Sequence, residues 1–155
     1  MKLCCLDQST QKTGYSIWDD GKLIKYGSIC VPEDLGAFDR MCLMYEEIKK
    51  MIAEEKPTYV CVEDTHYNNN PKVLKRLSQM QGLIFALLIE AGAGFCTIEP
   101  SSWKSYIGLT TRKREEQKKE TIAFVKEKYD IDNPTEDEAD SIAIGCWAVN
   151  NLIVK

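Results

Sequence analysis

The chain has 155 residues, 44% hydrophobic and 28% charged. That composition excludes wholesale disorder, and the length is about one domain, too short for a two-lobed kinase, a large barrel or most doubly wound dehydrogenases. A formal net charge of −4 by itself disfavours a polyanionic partner, but the charges are unevenly placed.

A chain of this size buries roughly 70% of its unfolded surface without disulfide or metal staples. Its longest apolar run, Leu83 to Ile89, is far below the roughly 20 residues of a membrane span. Leu3-Cys4-Cys5-Leu6 is too short for a signal-peptide core. The expectation is a soluble cytoplasmic protein with no membrane partner. No repeat, low-complexity tract or linker interrupts it, so residues 1–155 are expected to form a single domain.

Taken in chain order, Lys2 to Leu6 reads as a short buried strand that stops at Asp7. Gly14 to Trp18 and Leu23 to Val31 read as strands of a hairpin turning at Asp20-Gly21. Pro32 to Gly36 is a loop. From Phe38, Met41, Met44, Tyr45, Ile48, Met51 and Ile52 recur at helical spacing, and Lys56-Pro57 ends that helix. Tyr59 to Val62 is apolar on both faces, as in a central parallel strand, and stops at Glu63. Asp64 to Lys72 is a polar loop with three asparagines. Val73 to Ala91 is helical, Phe95 to Ile98 is a strand closed by Glu99-Pro100, and Glu115 to Tyr129 is a helix. Pro134 and Thr135 open a last helix that runs nearly to the end.

This order predicts an α/β fold: a mixed sheet of five strands, antiparallel hairpin strands first and parallel strands after, flanked by helices. A right-handed crossover would set the Tyr59 strand beside the first strand and parallel to it. Ligand sites in such sheets lie beyond the carboxyl ends of the strands, where Asp7 and Glu63 stand.

Seven cysteines, at positions 4, 5, 30, 42, 61, 96 and 146, contain no C-x-x-C pair and read as buried reduced thiols. With one histidine, a zinc site is disfavoured, and any metal here is an oxygen-ligated one.

Within the final helix, Thr135 and Glu138 form a capping box. Asp137 needs no function there, because acids favour a first helical turn. Asp140 is harder to explain. It shares a stripe with Ala143, Ile144 and Trp147, and the neighbouring stripe of Ala139, Ile142 and Cys146 is apolar too. A carboxylate on a buried helix is costly unless it is paired. Asp7, Glu63, Asp137 and Asp140 together would make a four-carboxylate cluster. Such a cluster demands a counter-charge, and magnesium or manganese is the natural one. Two ions about 4 Å apart suit in-line phosphodiester hydrolysis by water. No Ser-His or Cys-His pair competes.

These residues resemble the RuvC family of Holliday-junction resolvases, within the RNase H-like superfamily. The matching segments are Cys4 to Thr10 with Thr13-Gly14-Tyr15, Val60 to Glu63, Leu77 to Gly82, Pro100 to Lys104 and Asp137 to Ile144. They occur in family order over nearly the whole chain and look most like the compact, phage-type branch.

The resemblance implies a homodimer that cuts two strands of a four-way DNA junction and leaves 5′-phosphate ends. It places the acidic tetrad, two Mg²⁺ ions and their Mn²⁺ substitutes on Asp7, Glu63, Asp137 and Asp140, with no organic cofactor. It places two active-site lysines on Lys104 and Lys118, with Lys119 the alternative to Lys118. His66 and Tyr67 fall where the family carries an aromatic wedge, suited to stacking on an unpaired base. Lys72, Lys75 and Arg76 follow on the next helix as phosphate contacts. Arg112, Lys113, Arg114 and Lys119 belong to a basic segment running from Lys104 to Lys119, which is expected to lie on DNA. Gln8-Ser9 stand where the family commonly has Pro-Gly, so a cleavage-sequence preference does not transfer. An RNase H-like nuclease acting on RNA, as in ribosomal-RNA maturation, stays open, as does a non-catalytic junction-binding protein. An actin-type ATP-binding fold lacks its second lobe and second phosphate loop.

Overall fold

The computed structural model describes residues 1–152; the last three residues of the expected domain lie outside the described residues. Its elements are β1 (Lys2–Asp7), β2 (Lys12–Asp19), β3 (Lys22–Cys30), α1 (Ala37–Glu55), β4 (Tyr59–Glu63), α2 (Pro71–Ala91), β5 (Gly94–Ile98), α3 (Pro100–Tyr106), α4 (Arg114–Tyr129) and α5 (Glu136–Leu152). The strands form one sheet in the order β3-β2-β1-β4-β5. β1 pairs antiparallel with β2 and parallel with β4, and β4 pairs parallel with β5. The expected mixed sheet, hairpin strands first, is the one found.

The faces of the sheet follow from strand alternation. On one face Cys4, Leu6, Ile17, Val60 and Val62 meet Met44, Ile48 and Ile52 of α1 and Met80, Ile84 and Leu88 of α2. On the other, Leu3, Cys5, Trp18 and Cys61 meet Trp103 of α3, Val125 of α4 and Ala139, Ile142 and Ala143 of α5. Asp7 is two residues beyond Cys5, and Glu63 two beyond Cys61. Both carboxylates therefore sit at strand ends on the face covered by α3, α4 and α5.

α5 crosses that face at very close range. A β-carbon at Gly145 would run into the indole of Trp18. Ser16 donates its hydroxyl to the Ser141 carbonyl at 2.7 Å and accepts the Trp18 indole N–H at 2.9 Å. At the start of α5 the capping box is closed. The Thr135 N–H reaches Glu138 Oε2 at 2.8 Å, and the Glu138 N–H reaches Thr135 Oγ1 at 3.3 Å.

Most boundaries fall within two residues of the sequence reading. α2 starts at Pro71, where Asn70 caps the Lys72 and Val73 amides with its side chain and proline occupies the first turn. One element departs from it. Glu99-Pro100 does end β5, but it also opens α3, which the sequence reading does not contain.

All seven cysteines are free. Cys4, Cys5, Cys61 and Cys146 are buried as expected, whereas Cys96 is half-buried and Cys30 and Cys42 are exposed. Burial pushes the Cys4 and Cys5 thiols up, as in inert core positions. Among the described residues, no helix is long and apolar enough to cross a membrane.

Candidate active site

Asp7 and Glu63 are side by side because β1 and β4 run parallel in register, Leu6 opposite Val62. On its other side Asp7 pairs with Gly14 of β2. Gly14 carries no side chain, and the main chain of Asp137 rests against it; a β-carbon there would overlap the Asp137 carbonyl. This contact lowers the first turn of α5 onto the sheet. Asp137 and, one turn later, Asp140 then face Asp7 and Glu63. All four line a single cleft of about 770 Å³.

The electrostatics reflect this crowding. Burial pushes the Asp7 carboxyl well above the usual carboxylate range, helped by the charges of Glu63 and Asp140 and a hydrogen-bond contact with Glu63. Asp140 is pushed up to about 7, by burial first and then by Glu63, against a lowering pull from Lys104. Burial also raises Asp137, while Lys12 and Lys118 act in the opposite direction. Among the described residues none of the four has an ion-pair partner within 4.0 Å. Nor do any three Asp, Glu, His or Cys side chains among the described residues already stand in a metal-holding arrangement. The four line one cleft, with Asp7 and Glu63 in contact. Their oxygens nonetheless fit a hard divalent cation in type and charge, since a shared cation removes the repulsion and burial penalty that raise Asp7 and Asp140.

Glu63 has further support. The Trp103 indole N–H donates to Glu63 Oε1 at 2.8 Å, and Gln81 Nε2 donates to the Glu63 carbonyl at 3.3 Å. The turn after Asp7 is held by its own side chains. Ser9 N–H donates to Thr13 Oγ1 at 3.1 Å, and that hydroxyl donates back to the Ser9 carbonyl at 3.0 Å. Gln8 is buried under α2, with Nε2 directed at the Leu77 carbonyl at 3.5 Å.

The cleft's basic rim consists of Lys12, Lys104, Arg112, Arg114 and Lys118. Lys104 Nζ donates to Gln117 Oε1 at 3.4 Å, and Gln117 Nε2 donates to the Thr111 carbonyl at 2.8 Å, tying the loop before α4 to the cleft. Lys118 Nζ pairs with Glu136 at 2.6 Å. Lys118 faces the cleft; Lys119, its alternative, is exposed and does not line it. Lys113 does not line the cleft and pairs with Glu116 at 3.6 Å.

The loop after Glu63 divides. His66 lines the cleft, whereas Tyr67 is 62% exposed and does not. Lys72 and Lys75 are exposed on α2 outside the cleft lining. Arg76 is half-buried, with its guanidinium 4.4 Å from the Phe38 ring centroid and a hydrogen bond to Gln79 Oε1 at 3.2 Å. Three residues of the site escape the sequence reading. Trp103 lies in a helix too short to show a periodic stripe. Lys12 sits in the approach to a strand. Gly14 shows its purpose only against α5.

A mixed five-stranded sheet in the order β3-β2-β1-β4-β5, with carboxylates ending the neighbouring parallel strands β1 and β4, defines an RNase H-like fold. The family model described as "Crossover junction endodeoxyribonuclease RuvC" matches residues 3–147. The chain belongs to the RuvC family. The RuvC protein of Fusobacterium nucleatum is 28% identical over 160 aligned positions, which cover 98% of this chain and 82% of that protein. Thermus thermophilus RuvC, solved in complex with a Holliday junction substrate, superposes with a TM-score of 0.80 over 99% of this chain and 96% of that one, at 15% identity. The yeast mitochondrial Holliday junction resolvase gives 0.63 over 95% of this chain and 77% of that one, at 16% identity. At such identities the two structures speak for the fold.

Proposed function

We propose that this chain is a magnesium-dependent endonuclease that cuts four-way and other branched DNA, with Asp7, Glu63, Asp137 and Asp140 holding the metal. The observation that carries this reading is the convergence of these four residues, from β1, β4 and α5, on one cleft rimmed by cations. Family membership supports the substrate class.

Bound Mg²⁺ or Mn²⁺, two ions with substrate, would supply charge neutralisation and an activated water at the scissile phosphate. The chain's own residues do the rest. The tetrad sets where positive charge is held. Lys104 and Lys118 stand at the cleft wall as cations for the phosphate or the developing charge. Lys118 leaves Glu136 to do so. Arg112, Arg114 and Lys12 extend the rim along the DNA backbone. His66 is the loop side chain placed to meet a base at the cleft, while Tyr67, Lys72, Lys75, Arg76, Lys113 and Lys119 are candidates for DNA lying beyond it. The assembly proposed is a homodimer, one cleft for each of two strands. Seven free thiols suit a reducing compartment such as a bacterial cytoplasm.

The test is incubation of the purified chain with a synthetic four-way junction, a linear duplex and an RNA hairpin, each with and without Mg²⁺. Cutting of the junction only with Mg²⁺ is expected. Cutting of the RNA alone replaces this reading with a ribonuclease. Junction binding without cutting replaces it with a structural role.

A further inference from the structure

Trp103 is 1% exposed and packs in the core between the sheet, α4 and α5. A buried indole N–H needs an acceptor. Trp18, also buried, uses a serine hydroxyl. Trp103 instead spends its N–H on Glu63 Oε1, at 2.8 Å. Apart from its contact with Asp7, Glu63 meets Trp103 as its side-chain donor, and among the described residues it has no ion-pair partner.

The type of donor matters. A lysine or arginine in this place would orient Glu63 but also neutralise it, and so compete with a divalent cation. An indole orients and neutralises nothing. It occupies one lone-pair direction of Oε1 and adds no positive charge to the carboxylate. The rotamer is fixed by a rigid ring wedged in the core, so little side-chain entropy is lost when Glu63 takes up a ligand.

The same ring has a second neighbour. Lys104, the next residue, places Nζ 5.4 Å from the Trp103 ring centroid, within cation–π range, on the cleft wall. The edge of one indole holds a tetrad carboxylate, and its face seats a cleft cation. α3 exists to deliver both: Pro100 opens it, Trp103 anchors it, and Lys104 rides on the anchor.

We propose that Trp103 is a positioning residue for the cleft, presetting the Glu63 carboxylate for a divalent cation through its N–H and seating the Lys104 ammonium on its face. This rests on the reading of Glu63 as an ion ligand.

The test compares Trp103→Phe with Glu63→Gln in the otherwise unaltered 155-residue chain. Phenylalanine keeps an aromatic face and apolar burial and removes the donor. Mg²⁺ alone is titrated calorimetrically, junction binding is measured in EDTA, and cleavage is followed against Mg²⁺ concentration. Trp103→Phe is expected to weaken Mg²⁺ binding about 10-fold, the lower end for loss of a partner that orients a metal ligand. The Mg²⁺ needed for half-maximal cleavage should rise alike, with junction binding in EDTA unchanged and the rate largely recovered at high Mg²⁺. A purely structural role would lower the melting temperature and leave Mg²⁺ affinity alone.

If Glu63→Gln loses Mg²⁺ and Trp103→Phe binds it as well as wild type, the positioning role is wrong and the proposed function stands. If neither variant changes Mg²⁺ binding, the reading of Glu63 falls and takes this proposal with it. Should Trp103→Phe not fold, the indole ¹H–¹⁵N resonance of Trp103 in the wild-type chain decides. Slow exchange and a shift on adding Mg²⁺ support the role, and fast exchange with no shift overturns it.

Discussion

The main-chain carbonyl of Asp137 lies directly over Gly14, where a β-carbon would overlap it. Because Gly14 is the β2 partner of Asp7, that one contact sets the distance between the first strand's carboxylate and those of α5. Gly14→Ala must therefore push the start of α5 off the sheet. A core overpacked by one methyl commonly loses about 1–3 kcal/mol. The expected result is a lower melting temperature together with loss of cleavage that excess Mg²⁺ does not restore. A variant as active as wild type would show that α5 can retreat without cost to the site.

Asp7→Asn removes a charge from the centre of the tetrad and no cation from the rim. Cutting should fall at least about 100-fold, the scale expected when an electrostatic catalytic group is lost. Junction affinity in EDTA should hold or rise slightly, since one repulsive charge is gone. A gel-shift titration beside a cleavage time course checks both. Parallel loss of binding and cutting would mean that the substitution damages the fold.

Asp7, Asp137 and Asp140 all have folded-state pKa values above their ordinary ones, Asp140 reaching about 7. The folded state then holds more protons than the unfolded chain between the ordinary carboxylate range and about pH 7. Their contribution to stability is fully present below the unfolded pKa and is lost as pH rises through the folded one. A bound divalent cation reverses this by favouring the ionised forms. Thermal melts with and without Mg²⁺ should diverge more at pH 8 than at pH 5. Equal stabilisation at both would separate the ion from these carboxylates.

Thr135 and Glu138 close the N-terminus of the helix that carries Asp137 and Asp140. Thr135→Ala should cost about 1 kcal/mol. For a chain of this size that is a fall of roughly 2–4 °C in melting temperature. A denaturation curve indistinguishable from wild type would show that Glu138 and the packing of α5 suffice.

Arg114 begins α4 on the cleft rim and has no ion pair among the described residues. If it contacts a phosphate, Arg114→Ala should weaken junction binding uniformly across sequences and lower the log–log salt slope by about 1. Lys119→Ala, on the exposed side, should change that slope less. The reverse order would move the DNA track away from the cleft.

Period-two and period-3.6 patterns are local properties, so the sequence alone determined the strands, most of the helices and their order. Handedness then determined that β4 lies beside β1, which brought Asp7 and Glu63 together on paper. Asp140 was legible because a carboxylate on an otherwise apolar helix is anomalous wherever the helix packs. What tertiary structure alone decided is of another kind. α3 is seven residues with three serines, and it is stabilised by burying Trp103 rather than by its own propensity. Lys118 and Lys119 are neighbours in sequence with the same chemistry, and only the rotation of α4 against α5 turns one to the cleft and the other to solvent. Gly14 and Asp137 are 123 positions apart. Their contact arises from the close approach of a helix to a strand, and shape complementarity between distant segments leaves no periodic trace in either one.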